Sequence, residues 1–335
     1  MKGMDSYMKY INIDYNVPFY NFALEESLLT EAPEDDYVFF YIHMPSIIVG
    51  KFQNTIEEVN KDFVESENIL VARRLSGGGA VYHDSGNLNF SFVQKVMKND
   101  INNFAKFTQP VIDALNNLGI NAMLSGRNDI VVDDKKISGN AQCYKNGRLL
   151  HHGTLLYNAD MNYLIRALKV KDLKIQSKGI KSVRSRVANL IDYMDTPMDI
   201  DAFKNYILDY LRQTGNIEEL ILDDNVIEKI EKRALSHFST WEWNWGSSPQ
   251  YEFEKTAKFE CGIINIKMNI EKGRIKDMKI FGDFFTSEDL EKLEGLLIGV
   301  KLNKEDLDIR LSSIDIGSYF NNLSNQEFIE FLINQ

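Results

Sequence analysis

The sequence predicts an α+β protein in two units, on three observations. Short apolar runs separated by turn residues fill the first half. Helical periodicity follows from Met161, and after residue 246 strands and then helices recur on a smaller scale. The boundary falls where Trp241-Glu242-Trp243-Asn244-Trp245 gives way to Gly246-Ser247-Ser248-Pro249, giving units 1–245 and 246–335. A chain of 335 residues with 44% hydrophobic residues is long enough to fill a core in each.

Taken in order, Pro18 to Thr30 is amphipathic and reads as a helix, and Tyr37 to His43 and Ile47 to Gly50 read as strands. Ile69 to Arg73 leads into Ser76-Gly77-Gly78-Gly79. From Leu88 to Val93, apolar Leu88, Phe90 and Phe92 alternate with Asn89 and Ser91, the mark of a half-buried strand. Phe104, Phe107, Val111, Ala114, Leu115 and Leu118 recur at helical spacing. Pro110 implies that the regular helix starts near it or kinks there, and Gly119 ends it.

Two turn signals, Asp133-Asp134 and Asn146-Gly147, divide Arg127 to Asn158 into three strands of an antiparallel meander. That register sets Asp129 opposite Ser138 and Val131 opposite Lys136, then Ala141 opposite His152 and Gly139 opposite Thr154. One face collects Arg127, Asp129, Lys136, Ser138 and Asn140 with Val131. The other carries Ile130, Val132 and Ile137, so the polar face must look into solvent or a polar site. Helices are expected at Asn162 to Lys169, Asp201 to Gln213 and Asn225 to Phe238, and the tryptophan cluster reads as the plug of a domain junction. In the second unit, strands near Phe253–Phe259, Ile263–Asn269 and Ile275–Phe281, with a turn at Glu271-Lys272-Gly273, precede helices at Ser287–Leu297 and Asn325–Ile333.

Composition excludes several classes. Charged residues at 26% with only 6 prolines argue against long disordered tails, and no apolar run approaches the ~20 residues of a membrane span. Met1 to Tyr10, with Lys2, Asp5 and Lys9, has no apolar core for a signal, so a cytoplasmic location is expected. Cys143 and Cys261 lack zinc-site or disulfide-framework spacing. A net charge of −11 opposes nucleic-acid binding and suits a soluble monomer. The exception is local: Lys171, Lys174, Lys178, Lys181, Arg184 and Arg186 face one acid, Asp172. Such a run is a solvated face or a loop that meets phosphate or an acidic partner.

The glycine triplet lets backbone approach a ligand and can turn N–H groups toward an anion, and Arg73 and Arg74 before it suit phosphate oxygens. It is neither a Walker loop nor a dinucleotide fingerprint, because no Gly-Lys-Ser/Thr follows and the next segment reads as a strand. Lys136 is a candidate cation for phosphoryl or carboxylate groups. Cys143 lies near this region.

Arg73-Arg74-Leu75-Ser76-Gly77-Gly78-Gly79-Ala80-Val81-Tyr82-His83-Asp84 resembles the glycine-rich motif of lipoate-protein ligases. Three more segments are similar to that family in the same order: Gly126 to Ile130 with Lys136 to Ala141, His151 to Leu156, and Lys178 to Val187. The resemblance implies a large catalytic domain of mixed and antiparallel sheets flanked by helices, shared with biotin ligases, plus a small α+β accessory domain. It implies ATP and Mg²⁺, with lipoate or octanoate activated to an acyl-AMP and passed to a lysine of a carrier. That carrier would be the lipoyl domain of 2-oxoacid dehydrogenase E2 subunits, the glycine-cleavage H protein, or both.

Carried onto this sequence, the resemblance makes Lys136 catalytic. ATP or lipoyl-AMP would meet Arg74, Ser76, Gly77, Gly78, Gly79, Ala80, Val81, Tyr82, His83, Asn128, Asp129 and Lys136. Lipoate would meet Arg74, Gly78, Gly79, Lys136, Ser138, Gly139, His152 and Gly153, and Lys178, Gly179, Lys181, Val183 and Arg184 would form an adenylate-binding loop. The rival reading is a lipoyl or octanoyl transferase that uses a Cys143 thioester and no ATP. A biotin ligase and a silent lipoate-binding protein are further alternatives.

Overall fold

A computed structural model describes residues 7–31, 35–167, 186–246 and 253–333. Its first unit is built on an eight-stranded mixed sheet from β1 (Tyr7–Ile11), β2 (Asp36–Ile42), β6 (Asn87–Lys95), β7 (Met123–Ser125), β8 (Asp129–Val132), β9 (Lys135–Lys145), β10 (Arg148–Leu156) and β11 (Asn216–Leu220). The order is β11-β1-β2-β6-β10-β9-β8-β7, parallel only where β1 meets β11 and β2. A three-stranded sheet of β4 (Leu70–Arg73), β3 (Ser46–Val49) and β5 (Val81–His83) lies beside it, with β3 central.

The alternation in β6 explains how the sheet is covered. Leu88, Phe90 and Phe92 join a core closed by the helices Phe104–Asn117 and Ile200–Thr214. The opposite face packs under the helix Pro18–Thr30, which buries Phe22, Leu24, Leu28 and Leu29. Here the expected polar face is instead fully buried, and Asn89 and Ser91 are held by hydrogen bonds to Tyr41 and Glu25.

Both expected turns of the meander form. Asp133, Asp134, Asn146 and Gly147 all take positive φ, the geometry a two-residue hairpin demands. Val131 pairs with Lys136 and Ala141 with His152 as the register predicts. A bulge between Ile130 and Val131 shifts the rest, so Asp129 faces Gly139 and Ile130 faces Ser138. Ser138 is thereby fully buried.

Three departures have local causes. The helix starts not near Pro110 but at Phe104, capped by Asn103, and continues past the proline, where the carbonyl that loses its donor belongs to exposed Lys106. β1 and β11 are unforeseen strands at the sheet edge, and β11, with Glu218 and Glu219, carries the charge that marks protected edges. The tryptophan cluster does not plug the domain junction. Trp243 packs on His237 and Phe238 and donates its indole N–H to the Arg73 carbonyl, all within the first unit.

The second unit is an antiparallel sheet of β12 (Phe253–Phe259), β13 (Gly262–Glu271) and β14 (Arg274–Gly282) with its own apolar core, closed by Leu290–Leu297, Asn325–Ile333 and an unforeseen helix, Lys304–Leu311. Lys272 and Gly273 form its predicted tight turn. It rests on the first unit where Phe284 stacks on Phe52, the Gly282 N–H donates to the Phe52 carbonyl, and Arg127 donates to the Cys261 carbonyl. No described helix is long and apolar enough to cross a membrane.

Candidate active site

The pairing of β9 with β10 opens a cleft between them, β5 and the glycine loop. Its cavity volume is about 180 Å³, below the ~300–1,000 Å³ of drug-sized ligand sites, and it is open to solvent on one side. Arg74, Gly78, Gly79, Ala80, Val81 and His83 supply one wall, and Asn128 with Lys136, Gly139, Asn140 and Ala141 supplies another. His152, Gly153 and Thr154 form the floor, and Phe22, Tyr41, Ile48 and Asn89 close one end. A side chain at residue 153 would put its Cβ 2.2 Å from Asn140 Oδ1, so glycine there keeps the floor in place.

Lys136 carries the accessible positive charge. Its Nζ sits 2.8 Å from Asp129 Oδ1, with both side chains about a third exposed (37% and 36%). The chain beyond Arg186 returns beside it, where the Ala188 N–H donates to the Lys136 carbonyl.

The two arginines before the glycines differ sharply from that lysine. Arg73 is 2% exposed and donates to the carbonyls of Gly50, Lys51, Gln53, Trp243 and Asn244 and to Thr55 Oγ1. It is a staple, and burial pushes its pKa down to about 10. Arg74 touches the cleft, but its donors hold the loop: Nε to Ser76 Oγ, and Nη2 to the carbonyls of Gly77 and Gly79 at 2.6 and 2.9 Å. The expectation that Arg73 helps grip phosphate is therefore corrected. Six protein acceptors already use its fork.

Behind the floor lies a buried polar relay. Glu25 Oε1 accepts from Tyr41, Ser91 and His152 Nδ1 at 3.0, 2.6 and 2.9 Å, and His152 Nε2 meets Ser76 Oγ at 2.6 Å. His83 pairs with His43 through their Nδ1 atoms at 2.9 Å. Burial holds His43 down to about 3 and His83 well below its usual range, so both rings are neutral near pH 7.

Of the residues expected from sequence, Arg74, Gly78, Gly79, Ala80, Val81, His83, Asn128, Lys136, Gly139, His152 and Gly153 line one cleft. Five stand off it. Ser76 lies behind His152, Gly77 abuts the Phe284 carbonyl, Tyr82 stacks on Tyr163, Asp129 pairs with Lys136, and Ser138 accepts from Asn140. Lys178, Gly179, Lys181, Val183 and Arg184 lie outside the described residues. Sequence reasoning missed Glu25, Tyr41, Phe22, Ile48 and Phe285. A glutamate inside an apolar helix face was the one available signal, and nothing local marked Phe285.

Cys143 packs with the core under the helix Pro18–Thr30, and burial raises its thiol pKa, which disfavours the thiolate a thioester route needs. Among the described residues no group of three histidines, cysteines or carboxylates is placed to hold a metal.

Comparison with known proteins gives a consistent result. Residues 17–212 match the lipoyl protein ligase A/B catalytic domain, and residues 248–332 match the bacterial lipoate protein ligase C-terminus. Lipoate–protein ligase 1 of Staphylococcus aureus is 47% identical across 97% of this chain and 100% of its own. Among solved structures, P. falciparum LipL1 in complex with lipoate superposes with a TM-score of 0.81 at 25% identity, over 98% of this chain and 100% of that one. A chain from the structural analysis of an archaeal lipoylation system, a bi-partite lipoate protein ligase and its E2 lipoyl domain from Thermoplasma acidophilum, gives 0.67 at 31% identity over 74% and 100%. A lipoate-protein ligase A bound with ATP gives 0.62 at 29% over 72% and 99%.

Proposed function

This chain belongs to the lipoate-protein ligase family, and from that premise we propose that it activates lipoate or octanoate with ATP and passes the acyl group to a lysine of a lipoyl carrier. The carrying observation is Lys136, a partly exposed cation at a cleft whose other cation, the buried Arg74, has its donors turned onto the glycine loop. The ATP-bound and lipoate-bound relatives support the two substrates, and the archaeal ligase with its E2 lipoyl domain supports the acceptor. H protein is a second acceptor of the same chemistry.

A carboxylate is a poor electrophile, so it must first be activated. One carboxylate oxygen attacks the α-phosphorus, the bond from phosphorus to the bridging oxygen breaks, and pyrophosphate leaves. Negative charge gathers on the phosphoryl oxygens, where Lys136 would stabilise it; losing one such donor costs on the order of 10² to 10³ in rate. Asp129 fixes the ammonium in position between turnovers. The carrier lysine then attacks the acyl carbon as a free amine, the bond to AMP breaks, and an amide remains after proton loss.

Mg²⁺ is held in such sites by one or two carboxylates plus substrate phosphates, so a cage of three protein ligands is not required. Asp129, paired with Lys136 beside the cleft, would share such an ion, and the ion would neutralise phosphate charge.

The test is the intact mass of an unmodified lipoyl domain after incubation with this protein, lipoate and Mg²⁺, with and without ATP. A lipoyl mass gain that requires ATP is expected. Gain from a pre-acylated donor alone, abolished by Cys143→Ser, would establish the transferase instead.

A further inference from the structure

We infer that Phe285, from the second unit, is a substrate-contacting wall of the acid pocket and helps set its affinity for the acyl chain. This rests on the assignment of the cleft to the acid. Of the residues that line it, Phe285 alone comes from beyond residue 246. The residue is 7% exposed, and its ring clusters with Phe104, 5.6 Å away, and Ala141. The Arg127 guanidinium lies 4.6 Å from its centroid.

The ring is held in place by the chain around it. The Gly78 N–H donates to the Phe284 carbonyl at 3.3 Å, Phe284 stacks on Phe52 at 5.3 Å, and Arg127 binds the Cys261 carbonyl. The glycine loop is shaped to this segment. A Cβ at Gly77 would fall 2.1 Å from the Phe284 oxygen, and one at Gly78 would fall 3.0 Å from the Phe285 ring. Glycines that suggest an anion cradle in sequence thus also make room for the second unit. The Gly78 amide is already engaged by it.

An acyl chain gains by leaving water against an aromatic face, and Phe285 offers that face beside Ala141 and Gly78. Seating of the second unit therefore adds one aromatic wall to the pocket, and whatever affinity that wall contributes favours the seating in return.

Direct binding of lipoate and, separately, of ATP to the full chain tests this by calorimetry, with wild type, Phe285→Ala, Phe285→Leu and the exposed-site control Ile309→Ala. Phe285→Ala is expected to raise the lipoate Kd roughly tenfold with the ATP Kd unchanged. Phe285→Leu should fall between it and wild type, and carries the test if the alanine variant does not fold. Ile309→Ala should match wild type. Wild-type lipoate affinity in the folded variants overturns the inference, as does an equal loss for ATP, which would make the residue a support of the loop. Absence of lipoate binding in the wild type would instead remove the cleft's assignment.

Discussion

Replacing Arg73 with alanine should unfold the first unit more readily without bearing on substrate charge. The side chain ties five carbonyls and the Thr55 hydroxyl, from two stretches of chain, to its own strand in one knot, at distances from 2.6 to 3.3 Å. A buried acceptor that loses its donor costs about 1–3 kcal/mol. Water entering the vacated space would satisfy some of them, and the variant no longer buries a guanidinium whose pKa is depressed to about 10. The net loss should be about 3–5 kcal/mol, a large part of the ~5–15 kcal/mol that holds a domain. Urea denaturation followed by tryptophan fluorescence reads it, since the Trp243 indole bonds to the Arg73 carbonyl. Arg73→Lys should recover little, because three donors on a point charge cannot span the same acceptors. A loss below about 1 kcal/mol in Arg73→Ala would refute the staple and return this arginine to the ligand.

Stability should fall on acidification. His43 and His151 are held down to about 3 and His83 well below its normal range, each chiefly by burial. The unfolded chain takes up these protons from about pH 6.5 downward. Their contribution is whole above that pH and is lost as the pH falls below it, by roughly 1.4 kcal/mol per pH unit per ring, down to about pH 3 for His43 and His151. Urea midpoints at pH 7.5 and 5 check this, and His151→Phe should flatten the slope; an unchanged slope contradicts it. Gly77→Ala would set a Cβ 2.1 Å from the Phe284 oxygen and should unseat the second unit, raising the radius of gyration in X-ray scattering while the circular dichroism stays constant. An unaltered scattering profile would mean that the seat tolerates the methyl group.

Much of the fold was legible where chemistry is local. Asn146-Gly147 and Lys272-Gly273 announce their hairpins because few residue pairs accept positive φ, and the helix Pro18–Thr30 follows from its apolar residues. The bulge near Ile130 carried no such mark, and it sent Ser138 to the interior while leaving Lys136 where the register predicts. Tertiary context decided the rest. Adjacent Arg73 and Arg74 look alike in sequence, yet one is a staple and the other holds the glycine loop. Glu25 reaches His152 across 127 positions, and Phe285 reaches the cleft from another unit, distances at which residue pattern carries no signal.

The central claim is that Lys136 activates the acid. Its side chain is 37% exposed and its ion pair with Asp129 lies at the surface, so Lys136→Ala should keep its melting temperature within a few degrees. Single-turnover formation of lipoyl-AMP from lipoate and ATP, by wild type and by this variant, tests the claim most directly. A loss on the order of 10² or more in a folded protein is the predicted result, and adenylate formation at the wild-type rate would contradict it.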